Sequence, residues 1–176
     1  MLDRLPVQIH PLRLVASRDI LQGELPISKM HRLTELVQDS EGNAAITLQF
    51  QRDENEQPII RTDVKAALNM TCMRCGQPMT YHIDNASILG LVEAESEAEN
   101  LPDDYEPLLV GNDPLNLSDI VEDELLLALP IVAMHEDNDC LQQWLPEEDE
   151  EDSPAEATKT DNPFAKLADL KPKMKE

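Results

Sequence analysis

The chain has 176 residues, with 36 acidic side chains against 14 basic ones and a net charge of −22. That length allows one domain with a real core and is short for two. The charge argues against a simple nucleic-acid binder, because such affinity rests on Lys and Arg displacing counterions from phosphates.

The imbalance is one-sided. Residues 1–80 are nearly neutral, with 9 bases and 10 acids, whereas residues 81–176 hold 5 and 26. No Lys or Arg falls between Arg74 and Lys159, an interval with 23 carboxylates. Five aromatics leave few platforms for stacking bases. The longest apolar run, Leu125 to Met134, is ten residues interrupted by Pro130, well short of a membrane span. The opening Met1-Leu2-Asp3-Arg4-Leu5-Pro6 lacks the continuous apolar core of a signal peptide, and three cysteines make a poor disulfide framework. These features predict a cytoplasmic protein with no membrane partner; none of them sets an oligomeric state.

In chain order, Leu5 to Ile9 reads as a short strand stopped by Pro11. Leu12 to Leu21 follows with helical spacing of Leu14, Val15, Ile20 and Leu21. Pro26 and Ser28 predict a second helix start, with Met30, Leu33, Leu36 and Val37 on one face and His31 exposed. The turn cluster Asp39 to Asn43 ends it.

Three strands follow. Ile46, Leu48 and Phe50 alternate with polar neighbours, as do Val64, Ala66, Leu68 and Met70, then Met79, Tyr81 and Ile83. Period-two alternation with one polar face predicts an antiparallel meander covered on one side. Residues 93–104 read as an acidic loop and Tyr105 to Val110 as an edge strand. Ser118 is the expected N-cap of a helix carrying Leu117, Ile120, Val121, Leu125, Ala128 and Leu129 on a broad apolar face, ended by Pro130. Glu122, Asp123 and Glu124 read as favourable charges in its first turns rather than as a cation site.

From Pro146 to Asp161 the composition turns to Glu, Asp, Ser, Pro and Thr, the signature of a disordered linker. Past it, Asn162 is an N-cap, Pro163 sits at the first helical position, and Phe164, Leu167 and Leu170 form an apolar stripe ahead of a basic tail. The expected architecture is therefore α+β: an antiparallel β-meander packed with a few helices over residues 1–145, an acidic tether over 146–161, and a short amphipathic helix within 162–176. Asn162, Pro163, Phe164, Leu167 and Leu170 are the expected partner-binding residues; the alternative is that the helix folds back and Phe164 fills a groove on its own domain.

The chemistry concentrates at the cysteines. Cys72-x2-Cys75 with Gly76 lies in the connection between the second and third clear strands, and His135-x4-Cys140 lies after the last helix of the domain. Two thiols two residues apart can face one ion from a tight turn, and Cys3His is a closed tetrahedral shell of the kind structural zinc prefers. Gly76 suits the positive φ such a knuckle needs. With 59 residues between the pairs, the set would be one tertiary clamp, with Arg74 beside it as a charge-offsetting neighbour. The alternative is a reduced knuckle, an ordinary buried Cys140 and a solvated His135. His10 and His82 read as solvated. No Gly-rich phosphate loop, Ser-His-Asp order or metalloprotease helix is present, so no enzyme is indicated.

Several segments, in order, carry a resemblance: Cys72-Met73-Arg74-Cys75-Gly76-Gln77-Pro78, Leu101-Pro102 with Tyr105-Glu106-Pro107, Val121 to Pro130, His135 and Cys140, and Asn162-Pro163-Phe164-Ala165. Together they resemble the bacterial YceD family of large ribosomal RNA subunit accumulation proteins over essentially the whole length. The resemblance implies a non-enzymatic role in synthesis, processing or stability of 23S ribosomal RNA, and so in ribosome biogenesis. The acidic balance predicts that the RNA is served indirectly, through ribosomal or ribosome-assembly proteins. Two other readings stay open: a redox dithiol using Cys72 and Cys75, and an acidic mimic of nucleic acid.

Overall fold

Alternating apolar residues in the middle of the chain build the frame on which everything else is hung. The computed structural model describes residues 5–136 and 140. Strands β2 (Ile20–Pro26), β3 (Asn43–Arg52), β4 (Pro58–Thr71), β5 (Pro78–Val92) and β6 (Glu106–Leu109) form one sheet in that spatial order. The first four are antiparallel, and β6 joins β5 in parallel. The expected α+β class with its antiparallel meander is what the molecule has.

Register explains the two faces. Ile46 pairs with Val64, which pairs with Asn85; Leu48 pairs with Thr62, which pairs with Ser87. Because side chains alternate at every residue, this register puts Ile46, Leu48, Phe50, Ile60, Val64, Ala66, Leu68, Ile83 and Leu89 on one face, where all are buried. The opposite face, with Gln49, Arg61, Asp63, Lys65, Asn69, Thr80, His82 and Asp84, is exposed. Asp53 sets the β3–β4 turn: its carboxylate accepts from the backbone N–H groups of Asn55 and Gln57 at 2.8 and 2.9 Å.

Helices cover the apolar face. They are α1 (Pro11–Ser17), α2 (His31–Thr34) and α4 (Leu117–Ala128); α3 (Glu95–Ala98) buries no residue, and a two-residue ladder joins β1 (Gln8–Ile9) to β7 (Leu115–Asn116). Val15, Met30, Leu33, Leu117, Ile120, Val121 and Leu125 pack into the same core as the strands.

Four details depart from the sequence reading. The helix expected to reach Leu21 stops at Ser17, because Arg18 takes a left-handed conformation at φ 57° and caps it; Ile20 and Leu21 then belong to β2. The helix expected from Ser28 through Val37 is a 3-10 turn, Ile27–Lys29, followed by the single turn of α2. Met30, at φ −102° and ψ 87°, breaks the path between them, so Met30 and Leu33 are buried while Leu36 is exposed. Asn116, not Ser118, caps α4, its side chain accepting from the Ser118 N–H. The acidic stretch after β5 contains the short helix α3.

The largest departure concerns two acids of α4 that read as favourable charges in its first turns. Glu122 and Glu124 are 4% and 2% exposed. Glu124 sits where β4, β5 and α4 meet. It accepts from Ser87 Oγ at 2.6 Å and Asn85 Nδ2 at 3.2 Å, with Thr62 Oγ1 at 3.4 Å. Burial raises its pKa, and the nearby Glu106 and Asp123 carboxylates add to the rise, against the lowering hydrogen bonds from Ser87 and Thr62. The sign of the pH effect follows. From about pH 4.5 up to its folded-state pKa, Glu124 keeps in the native state a proton that the unfolded chain has lost. Stability therefore falls as pH rises through that window and stays lower above it. Glu124→Gln, which holds a neutral amide in the same space, is expected to remove that decline. Melting curves of the variant and the parent, taken from pH 4 to 8, should diverge upward in favour of the variant; parallel curves would refute a raised pKa.

The acidic linker 146–161 and the expected helix and partner-binding residues Asn162, Pro163, Phe164, Leu167 and Leu170 lie outside the described residues.

Candidate metal centre

The connection from β4 to β5 is a tight knuckle. Cys72 N–H donates to the Gln77 carbonyl at 2.9 Å, and Gly76 N–H donates back to the Cys72 carbonyl at 2.8 Å. Gly76 closes the turn at φ +74°, the left-handed region that glycine enters at little cost. A second tie crosses to the loop after α4: Met73 N–H donates to the Ala133 carbonyl at 2.8 Å. That tie brings His135 and Cys140 over the knuckle, across the 59 residues that separate the pairs in sequence.

Of the two readings open from the sequence, the structure has the one in which Cys72, Cys75, His135 and Cys140 come together. Their ligand atoms all lie within 4.8 Å of one another. A tetrahedron of metal–sulfur bonds of about 2.3 Å has edges near 3.8 Å, so a small inward movement suffices to close the shell. Cys75 Sγ already stands 3.6 Å from His135 Nδ1. Arg74, read from the sequence as a charge-offsetting neighbour, reaches back with Nη1 3.7 Å from Cys140 Sγ and Nη2 3.6 Å from Met134 Sδ. A guanidinium beside three thiolates and an imidazole offsets the net negative charge a divalent ion would leave. His82 and His31 are exposed and stand outside the cluster, as expected.

Local electrostatics prepare the sulfurs to ligate. Burial pushes the Cys72 thiol up, yet the backbone N–H groups of His135, Cys75 and Arg74, together with the Cys75 side chain, outweigh it and bring it down to about 6. For Cys75 the Gln77 N–H lowers the pKa, but burial and the neighbouring Cys72 and Cys140 sulfurs prevail and raise it. The first thiolate thus forms readily and the second resists it, a conflict that a cation relieves. A redox dithiol needs its low-pKa sulfur open to an incoming disulfide, whereas Cys72 is 0% exposed. The donor set suits a metal ion better than it suits thiol exchange.

The sequence reading missed the carboxylates of α4 that fix the region next to the cluster. Glu122 Oε1 accepts from the buried Leu33 N–H at 3.0 Å, and its Oε2 accepts from Arg32 Nε at 3.1 Å and Nη2 at 3.0 Å. Helical position held the clue. Glu124 lies four residues after Ile120 and seven after Leu117, within the apolar stripe, and Glu122 lies three before Leu125.

Fold and cluster together define an α+β protein with an open-faced sheet and a candidate metal centre of three cysteines and one histidine. The chain belongs to the YceD family: the family model described as large ribosomal RNA subunit accumulation protein YceD matches residues 60–171. It is also 31% identical, over 171 residues, to the large ribosomal RNA subunit accumulation protein YceD of Haemophilus influenzae, covering 97% of this chain and 98% of that one. The resemblance noted from scattered segments is thereby confirmed. The family is named for accumulation of an RNA and not for a catalysed reaction. No solved structure matches the chain. No helix among the described residues is long and apolar enough to cross a membrane.

Proposed function

We propose that this chain promotes accumulation of the large ribosomal RNA as a non-enzymatic, cytoplasmic assembly factor, and that a structural zinc ion held by Cys72, Cys75, His135 and Cys140 staples its fold. The observation that carries the role is the full-length similarity to a relative whose name states it. Electrostatics supports an indirect route: between Arg74 and Lys159 the chain offers 23 carboxylates and no Lys or Arg, so contacts with basic ribosomal or assembly proteins are favoured over contacts with bare phosphates. When bound, the ion would supply a fixed four-point crosslink between the β4–β5 knuckle and the loop after α4. Four protein ligands leave it no open position for substrate, so its part is to hold structure.

Replacement in cells tests the role. Haemophilus influenzae depleted of its own relative should lose large relative to small ribosomal RNA, and expression of this chain should restore the ratio. An unchanged ratio on depletion, or no restoration by well-expressed chain, would sink the reading.

A further inference from the structure

One end of the domain carries an apolar groove of about 530 Å3 beside the cysteine–histidine cluster. Its walls come from the segment after α2 (Leu36 and Val37), the end of β4 and its knuckle (Met70 and Met73), and the end of α4 with its following loop (Leu129 and Ile131). Large apolar side chains here face solvent: Ile131 is 100% exposed, Met73 71% and Leu36 57%. Val132 and Met134, on the same loop, are exposed as well. Apolar side chains gathered around a concave surface mark a place where another molecule is covered. Scattered exposed residues such as Ile20, far across on the open sheet face, carry no such message.

The rim says what kind of molecule. Glu35 precedes Leu36 and is exposed; Asp39 follows the groove residue Gln38 and accepts from Asn69 Nδ2 at 3.0 Å; Glu136 follows His135 and is exposed. The cations nearby are engaged: Arg32 is held by Glu122 and Asp123, and Arg74 reaches the cluster sulfurs. An apolar trough with an acidic border fits a segment with apolar anchors along one side and Lys or Arg on the other, laid in as an amphipathic helix. Met73 and Met134 suit the task, since unbranched thioether chains adapt to irregular apolar anchors.

We propose that this groove is the docking site for a short cationic amphipathic segment of a protein partner. The site also has a built-in dependence on the cluster. Ile131 and Ala133 belong to the loop that carries His135, and the Met73–Ala133 hydrogen bond fixes that loop to the knuckle. Whatever holds the cluster closed holds the groove's wall in place. The inference deepens the assembly-factor reading and rests on it for the partner's identity as a basic ribosomal or assembly protein; the docking chemistry stands by itself.

A labelled synthetic 18-residue peptide of leucine and lysine, with leucines at helical spacing, tests the docking by fluorescence anisotropy against the full chain. A peptide of the same composition in scrambled order controls for charge alone. The ordered peptide should bind at least tenfold more tightly than the scrambled one, and Ile131→Glu or Met73→Glu should abolish that difference. Ile20→Glu should leave it intact, and the Ile131→Glu and Ile20→Glu variants should melt like the parent, because both positions are exposed and outside the cysteine knuckle. Equal binding of the two peptides, or indifference to Ile131→Glu, would overturn the groove. A photo-crosslinker placed at Ile131 in cells completes the test: crosslinks to a basic protein support the proposal, whereas crosslinks to a second copy or to residues 142–176 of the same chain overturn it. In the depleted cells, restoration of the RNA by the parent and by Ile131→Glu alike would reject the docking site and spare the assembly role. Failure of both would reject the role, leaving the peptide result to decide the groove.

Discussion

Purified from zinc-containing medium, the chain should carry one zinc per molecule, and stripping it with a strong chelator should lower the melting temperature by about 8–16 °C. A ligand present at about 1,000 times its dissociation constant stabilises the state that binds it by about 4 kcal/mol. For a chain of this length each kcal/mol shifts the midpoint by about 2–4 °C. The argument rests on where the crosslink falls: the cluster joins a connection centred on residue 74 to a loop 60 residues later, and the described backbone tie between them is the Met73–Ala133 hydrogen bond. Cys72→Ser should reproduce the loss and release the metal, because Cys72 is a fully buried donor whose thiol the surrounding N–H groups bring down to about 6. His135→Ala should weaken zinc binding while leaving part of the shell. Metal analysis together with calorimetry of parent and variants reads all of this. Metal-free protein that melts where the zinc-treated protein melts would exclude a structural ion.

Glu122→Ala is the second large effect: a loss of about 3 kcal/mol, or a fall of about 6–12 °C in melting temperature. Removing the carboxylate strands the N–H of Leu33, a fully buried residue, with no acceptor, and releases a guanidinium that it held through two nitrogens. The segment it secures has little of its own to hold it. Helix α2 is one turn long and has no side-chain cap, so Glu122 does for its backbone what a cap does in a longer helix. Glu122→Gln keeps an acceptor for Leu33 and loses only the charge, so it should fall less far. Arg32→Ala should cost the least of the three, since that side chain is half exposed and pairs with Asp123 as well. Urea unfolding at neutral pH ranks them. A Glu122→Ala protein with the parent's midpoint would show that the buried contacts contribute nothing net.

The elements differ in how plainly they could be read. Strands β3, β4 and β5 were legible because one face is covered by helices and the other by water, which forces strict alternation in the residues themselves. Even so, β5 runs on through Val92, where Leu89, Gly90, Leu91 and Val92 are buried in succession, and alternation gives no signal there. Strand β2 was hidden. Its Ile20 and Leu21 continue the helical spacing of Leu14 and Val15, and the break between them is a single left-handed residue, Arg18, of a type that announces nothing. Gly23 adds no side chain to the pattern because Leu5 packs on it, 3.0 Å from where a Cβ would stand. The second helix failed for a related reason: Met30 and Leu33 have helical spacing, but Met30 is buried out of helical conformation and only four residues complete the turn.

Residue order alone determined the covered-and-open character of the sheet, the thiol knuckle with its glycine, the one-sided charge and the family. Each is written in neighbours a few positions apart, and local sterics, period-two exposure and composition act at that range. Tertiary structure alone decided that His135 and Cys140 reach the knuckle, that Glu122 and Glu124 are core residues, and that Leu36, Met73 and Ile131 line one groove. A carboxylate's place on the apolar stripe of a helix hints at burial, but whether water or a serine waits opposite it is not written there. Which of the two it meets depends on a strand tens of residues away, brought there by burial of the whole apolar face.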